Sequence, residues 1–488
     1  MRNIKSSFYN VIAPVVEENE YLLYNLVYGG LEVLNWNQGL LVESLQNENY
    51  IDLETLSEEN SSVVLYLYEK GFFIDMERDE KKEYHDHYKE KRDRLYDRDQ
   101  ANINLTIGTT IVCNMGCPYC FEFVKPNKSL NDDDNLKALI YYLTDMISKS
   151  PVKKWNSLNI TWYGGEPLIN RKAISKLTPM LRELSKAYDM NYNANIITNG
   201  ILLTVDNWTL LKECGVQNVQ ITIDGPQKKH DKSRPLKGLN KNRPNYFQIL
   251  DNLRNIPQEI KVTVRINTDR EVADSIDELL QDFRVYGLWP NLYNQITFKP
   301  AWLRTYEEAN EADVSMRFTV SQFFEFQQSF RLKQVNLYNK WAAENGLKQG
   351  KLNWVLPERQ DECATWVSPY SLVIDPDGNI HKCWETIHES EEAISHVSQG
   401  YDLEKHRKFM EYDRVELNDI CANCKYMPVC EKLSCSHQAI KDGKPDCTWW
   451  KTETEYSLQS QYRLMKHQPE IIVLPNHLTN ENTGHSNK

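Results

Sequence analysis

The chain has 488 residues, 41% hydrophobic and 26% charged, with a net charge of −12. At roughly 100–200 residues per domain this length suggests about three domains, and the composition is that of a globular protein with a large core. The acidic balance argues against a general nucleic-acid-binding surface. No run approaches about 18 apolar residues, and the opening stretch MRNIKSSFYNVIAPVVEENEY lacks an apolar signal core, so a cytoplasmic chain without a membrane span is expected. The 11 cysteines, an odd number, crowd mainly into two regions. In a cytosolic protein such spacing reads as metal binding rather than disulfides.

In chain order, residues 1–75 read as a small separate unit. YLLYNLVYGGLEVLN gives two aromatic and branched runs around Gly29-Gly30, a hairpin signal because glycine accepts the positive φ of a tight turn. LSEENSSVVLYLYEKGFFI predicts a helix ending at Gly71 and then a short strand. The pattern resembles a winged-helix-like module able to dock a peptide along a sheet edge; a packing appendage is the alternative. Residues 76–101 mix both charge signs and predict a solvated helical linker.

From Asn102 to Pro300 strands alternate with helices. The expected strands are Ile103–Thr109, Leu158–Tyr163, Asn195–Thr198, Val219–Asp224, Val262–Asn267 and Gln295–Lys299. Amphipathic stretches such as DNLKALIYYLTDMISKS lie between them, and this alternation implies an α/β fold with a parallel sheet. Ligands in such folds sit at the C-terminal strand ends. Residues 301–360 predict a helical connector. Residues 361–455 predict short hairpins and loops fixed by metal clusters, and 456–488 a tail with a frayed end.

After the first strand comes IVCNMGCPYCFE, with Cys113, Cys117 and Cys120 in an irregular loop set by Gly116 and Pro118. Thiolates are soft ligands that suit iron–sulfur clusters or zinc. Three thiolates can hold three irons of a cubane and leave the fourth iron open; a zinc loop completed by a distant ligand is the alternative. One strand–helix unit later, Gly164-Gly165-Glu166-Pro167 ends a strand, where two glycines permit close backbone approach. Further polar groups end the next strands: Thr198, Asn199 and Gly200; Thr222, Asp224, Gly225, Pro226, His230, Asp231 and Arg234; Arg265 and Asn267. Each is also readable as ordinary turn chemistry, and His230 as a polar turn residue rather than a ligand.

The C-x3-C-x2-C loop followed by GGEP resembles the radical S-adenosylmethionine (radical SAM) family. The resemblance implies a partial (β/α)6 TIM-like barrel over residues 102–300. It implies that Cys113, Cys117 and Cys120 hold a SAM-binding 4Fe-4S cluster. Tyr119 would lie beside the adenine, and the segment of Gly164, Gly165 and Glu166 would contact the methionyl amine. Thr198 ends one of the matching segments, while Thr222 and Arg234 are candidates for the ribose or the methionyl carboxylate. The chemistry implied is one-electron cleavage of SAM to a 5′-deoxyadenosyl radical that abstracts a substrate hydrogen, with the protein binding, orienting and excluding water.

Seven more cysteines follow: Cys363, Cys383, Cys421, Cys424, Cys430, Cys435 and Cys447. With Gly378 separated from Cys383 by four residues, in a hairpin expected around Asp375-Pro376-Asp377-Gly378, they resemble the SPASM extension of some radical SAM enzymes, which holds two auxiliary 4Fe-4S clusters. A zinc ribbon is the alternative. By that resemblance Cys421, Cys424, Cys430 and Cys447 ligate the outer cluster, and Cys363, Cys383 and Cys435 the inner one. One feature departs from the family pattern: Cys430 and Cys435 are separated by four residues rather than three. Some members add a cysteine shortly before the first of these seven, and none lies here between Cys214 and Cys363, so an open iron in the inner cluster is expected, where a peptide thiolate would bind. Cys214 reads as a buried hydrophobe near a helix end.

The sulfatase-maturing branch carries an acidic residue directly after the Gly-x4-Cys cysteine; here Trp384 stands there and Glu385 follows. The N-terminal hairpin is instead similar to that of enzymes maturing ribosomally made peptides. The resemblance therefore implies a peptide maturase with three 4Fe-4S clusters and SAM, a precursor peptide as substrate, and an electron donor such as flavodoxin or ferredoxin. The expected product is a thioether or carbon–carbon cross-link. The alternatives are formylglycine formation, peptide epimerisation, action on a small metabolite, or a non-catalytic iron–sulfur protein. No catalytic acid or base is identifiable.

Overall fold

The computed structural model describes residues 3–473 apart from 95, 97, 121, 123–126, 304–314, 361–362 and 431–446. Cys435 therefore lies outside the described residues. The chain divides into two compact units: residues 1–91, 328–363 and 413–488 form one, and residues 92–327 with 364–412 the other.

The first unit begins with β1 (Ile4–Ser6), β2 (Asn10–Val15), β3 (Glu20–Asn25) and β4 (Leu31–Asn35). Strands β2, β3 and β4 form an antiparallel sheet, and Gly29 turns the expected hairpin at φ +70°. Helix α1 (Trp36–Leu45) starts at a reciprocal cap, in which Asn35 accepts the Gln38 amide and Gln38 accepts that of Asn35. Helix α2 (Glu58–Glu69) runs from an Ser57 cap to Gly71, whose φ of +84° lets the chain reverse into β5 (Phe73–Asp75), paired with β1. Ile4, Leu23, Leu34, Val42, Val64, Leu67 and Phe73 close the core between them.

Helix α3 (Glu80–Asp93) forms within the expected charged helical linker and carries the i,i+4 pair Lys82–Asp86, but it is not solvated on every face. Glu80, Tyr84 and Tyr88 recur every fourth residue and are buried on one face. The Glu80 carboxylate accepts from Ser7 Oγ and from the Phe8 amide, each at 2.8 Å. Charge on the other faces masked this stripe in the composition.

Later segments complete the same unit. The helix Trp450–His467 crosses residue 455 unbroken, donates from Gln459 to the Pro14 carbonyl at 2.8 Å, and places Tyr462 Oη 2.6 Å from Glu20. Tyr24 Oη donates to the Pro357 carbonyl at 2.6 Å, and β12 (Leu352–Asn353) pairs with β16 (Ile472–Val473).

In the second unit every expected strand forms: β6 (Gln100–Thr110), β7 (Lys154–Gly164), β8 (Asn191–Thr198), β9 (Val216–Thr222), β10 (Lys261–Thr268) and β11 (Ile296–Trp302). Each is parallel to its neighbour, in the order β11-β10-β9-β8-β7-β6. The helices follow as α4 (Asp133–Lys149), α5 (Arg171–Ala187), α6 (Val205–Glu213), α7 (Gln227–Ser233), α8 (Tyr246–Leu253), α9 (Arg270–Asp274) and α10 (Ile276–Val285). Helix α4 buries Leu136, Leu139, Leu143, Met146 and Ile147, the stripe that makes a helix cover a sheet.

The sheet continues beyond β6, a feature absent from the sequence reading. The predicted hairpin, β13 (Ser371–Ile374) and β14 (Asn379–His381), adds β13 parallel to β6, and β15 (Ser395–His396) follows as an edge. Gly378, at φ +92°, makes the turn.

Candidate functional site

The site is built at the C-terminal ends of β6 to β10. Beyond β6 the chain leaves the sheet at Ile111 and enters the cysteine loop. Two glycines at the end of β7, Gly164 within it and Gly165 just beyond, make that exit possible. A Cβ on Gly164 would stand 2.0 Å from the Thr110 carbonyl oxygen, and one on Gly165 would stand 2.4 Å from that of Ile111. The close approach these glycines permit is thus to the backbone leading into Cys113. The Gly165 amide donates to Thr110 O at 2.9 Å and the Glu166 amide to Val112 O at 3.0 Å. On the far side of the loop, the Gly116 amide donates to Pro235 O at 2.8 Å and the Lys237 amide to Asn114 O at 2.8 Å.

Glu166 has no exposed surface. Its carboxylate accepts from Thr198 Oγ1 at 2.7 Å, the Asn199 amide at 2.7 Å and the Leu168 amide at 3.1 Å, tying the end of β7 to the end of β8. Burial pushes its pKa up, and these three donors oppose the rise. Asn199 then reaches the loop: its Nδ2 lies 2.7 Å from Asn114 Oδ1 and 3.9 Å from Cys113 Sγ.

Tyr119 anchors the other end of the loop. Its hydroxyl donates to Asp224 and accepts from Arg234 Nη1 at 2.6 Å and Asn267 Nδ2 at 3.2 Å. The Asp224 amide donates to His230 Nδ1 at 3.2 Å, and His230 Nε2 pairs with Asn245 Oδ1 at 3.0 Å. Both ring nitrogens are thereby engaged, so His230 is a packing and turn residue rather than a metal ligand. Burial lowers its pKa to about 3. Asn245 also holds the Arg234 carbonyl, at 3.0 Å. Thr222 stands in register with Arg265 on β10. Asp224, Asn267 and Asn199 end strands as the sequence pattern indicated. Asn245 lies 11 residues past Arg234, and nothing in its local sequence marks it.

Cys113, Cys117 and Cys120 are partly exposed on this one short loop. Burial pushes the Cys117 thiol up to about 11, with Arg234 opposing. A bound metal would therefore displace that proton rather than meet a ready thiolate. The donor set fits an iron–sulfur cluster: three soft ligands beside a buried cation. Arg234 is buried, and its Nε has no hydrogen-bond partner among the described residues, an opening for an anionic ligand group.

The C-terminal cysteines sit on irregular backbone. Cys421, Cys424 and Cys430 are strung on successive turns, the Cys424 amide donating to Cys421 O at 3.1 Å and the Cys430 amide to Met427 O at 3.3 Å. Cys447 lies just before the helix Trp450–His467, with Lys451 Nζ 4.0 Å from its sulfur. Cys363 directly precedes the short helix Ala364–Val367, and Cys383 follows β14. Cys214 is the buried C-cap of α6.

Comparison with known proteins gives the same core. The Radical SAM superfamily matches residues 107–283. The radical SAM cyclopropyl synthase TigE of Paramaledivibacter caminithermalis is 27% identical over 245 residues, 46% of this chain and 49% of that protein. The sporulation killing factor maturation protein SkfB of Bacillus subtilis is 27% identical over 177 residues, 36% of this chain and 39% of that protein. The chain thus spans half or less of the length of these relatives. The solved structure of anSMEcpe with bound AdoMet superposes with a TM-score of 0.53 at 14% identity, covering 76% of this chain and 100% of that one. That likeness shows the fold.

Proposed function

Because residues 107–283 are a radical SAM domain, we propose that the chain is a radical SAM enzyme that modifies a ribosomally made peptide. The observation that carries the proposal is the cysteine loop itself. Its three thiols, clamped from β7, β8 and the Tyr119–Asp224–Arg234 network, lie at the strand ends where α/β folds bind ligands. Cys113, Cys117 and Cys120 would hold the 4Fe-4S cluster. When bound, cluster and SAM supply one-electron cleavage of the sulfonium, yielding a 5′-deoxyadenosyl radical able to take hydrogen from carbon.

The chain's own residues bind and orient. Arg234, with an unpartnered Nε, is suited to the methionyl carboxylate, with Thr222 as a candidate beside it. Gly164, Gly165 and Glu166 position the loop. Thr198 holds Glu166, and Tyr119 braces the segment between Cys117 and Cys120. We assign Cys421, Cys424, Cys430 and Cys447 to an outer auxiliary cluster and Cys363, Cys383 and Cys435 to an inner one. Residues 1–75 are assigned to peptide recognition. An auxiliary cluster would accept the electron left after bond formation, and a flavodoxin or ferredoxin would supply the first. The names of TigE and SkfB, a cyclopropyl synthase and a maturation protein, support peptide or product maturation as the class. A thioether or carbon–carbon cross-link is the reaction we favour.

Anaerobic reconstitution tests this reading. The expected result is 5′-deoxyadenosine formed under reduction by the native chain and lost in a C113A/C117A/C120A variant. Mass spectrometry of a matured peptide should show loss of two hydrogens for a cross-link. An unchanged mass would indicate epimerisation, and no SAM cleavage would leave only a binding protein.

A further inference from the structure

An aromatic pair at the strand ends is not among the residues assigned above to the cofactor. Tyr163, next to Gly164 on β7, stacks on Trp384 with ring centroids 6.0 Å apart and planes at 22°. Trp384 follows Cys383 directly and opens a tight turn, Trp384–Thr386. That turn is anchored from behind, since Ile387 is buried against Ile111 and Val373, with Tyr163 packed on the same group. Ile111 lies two residues before Cys113, so the pair stands beside the mouth of the cysteine loop. Trp384 is nonetheless 49% exposed. One face of the indole is held by a ring, and about half of the residue stays open to solvent beside the entry to the cysteine loop.

Charge identifies what would cover it. The segment from Trp384 to Glu392 carries Glu385, Glu389, Glu391 and Glu392 and neither Lys nor Arg. Among the described residues, two lysines of the adjoining segments are already engaged, and His388 Nε2 lies 3.4 Å from Glu389. Lys128 lies 2.5 Å from Asp377 and 3.0 Å from Ser390, and Lys382 donates to the carbonyls of Ser368 and Ser371 at 2.6 and 3.1 Å. An apolar side chain would gain from the indole alone, and an acidic one would be repelled. A cation gains from both the ring face and the net negative charge that the Trp384–Glu392 segment carries.

We propose that Trp384 and Tyr163 form a subsite for a lysine or arginine side chain of the substrate peptide. The proposal rests on the reading of the chain as a peptide-modifying enzyme and names the residue type that enzyme would select. The Trp that replaces an acidic residue directly after Cys383 then acts in substrate selection.

The test uses the reconstituted holoenzyme and pools of short capped peptides, each with one position fixed as Lys, Arg, Leu, Phe or Glu. Retention of the Lys and Arg pools should exceed that of the Leu and Glu pools by about tenfold, the size of a well-placed cation–π contact. Trp384→Ala should erase that advantage, and Trp384→Phe should keep part of it. An E389Q/E391Q/E392Q variant should narrow it. Equal retention of all pools, a preference for Phe, or an advantage unchanged in Trp384→Ala overturns the subsite. SAM cleavage by the native holoenzyme, measured in the same preparation, separates the two claims. Cleavage without a charge preference removes only the subsite, whereas absence of cleavage removes the enzyme reading.

Discussion

Glu166 is a carboxylate with no exposed surface and three donors, and its neighbours at the end of β8 are positioned through it. Removing it strands buried donors, each worth about 1–3 kcal/mol when left unmade. Glu166→Ala should therefore lower unfolding stability by about 3 kcal/mol in urea titration and reduce iron retention, because Asn199 loses its hold beside Asn114. His230 predicts a pH effect. Burial lowers its pKa from the ordinary 6.5 to about 3. Between those values the unfolded chain binds the extra proton, so its contribution is full above about pH 6.5 and is lost as pH falls toward 3. Stability should fall by about 1.4 kcal/mol per pH unit from this group across that window. Denaturation at pH 7 and pH 5.5 should show a smaller difference in His230→Gln than in the native chain. These couplings are long-range in sequence: Glu166 meets Asn199 across 33 residues and Tyr119 meets Asn267 across 148. The residue types were legible at strand ends, but the pairing was not.

At the scale of elements, glycine spacing and helix stripes decide where the loop goes. Gly165 lies against the carbonyls of Ile111 and Val112, backbone that cannot swing aside as a side chain could. Gly165→Ala should displace the entry to Cys113 and lower iron content by about four atoms per chain, the complement of one cubane. Gly116→Ala is the control: its Cβ would meet Lys237 Cγ at 3.5 Å, ordinary contact, and iron content should be unchanged. In α3, Tyr84→Ala removes a buried ring and should cost about 3 kcal/mol by urea denaturation. Lys82→Ala on the exposed face should leave the midpoint unchanged. The six parallel strands were readable because each is a short apolar run bounded by turn residues, with amphipathic helices between them. The buried face of α3 was hidden because only two tyrosines interrupt a dense run of charge.

At the scale of the molecule, residues 1–91 share a compact unit with residues 413–488. Deleting residues 1–75 would strip the helix Trp450–His467 of Pro14 and Glu20 and leave Tyr24's partner Pro357 uncovered. Such a truncation should lose iron beyond that proposed for Cys113, Cys117 and Cys120 and unfold at lower urea concentration, so loss of peptide binding in it would not by itself place recognition in residues 1–75. The sequence by itself determined the ligand type of the cysteine loop and the order of the core strands. Thiolate spacing and strand–helix alternation are local, and both survive in a linear reading. Tertiary structure decided what each polar residue does. It turned Gly164 and Gly165 toward the loop backbone, engaged both nitrogens of His230, left Arg234 Nε without a partner among the described residues, and stacked Trp384 on Tyr163 in the open. Those outcomes depend on which distant segments meet at the strand ends, and burial and contact distance there exist only once the sheet has formed.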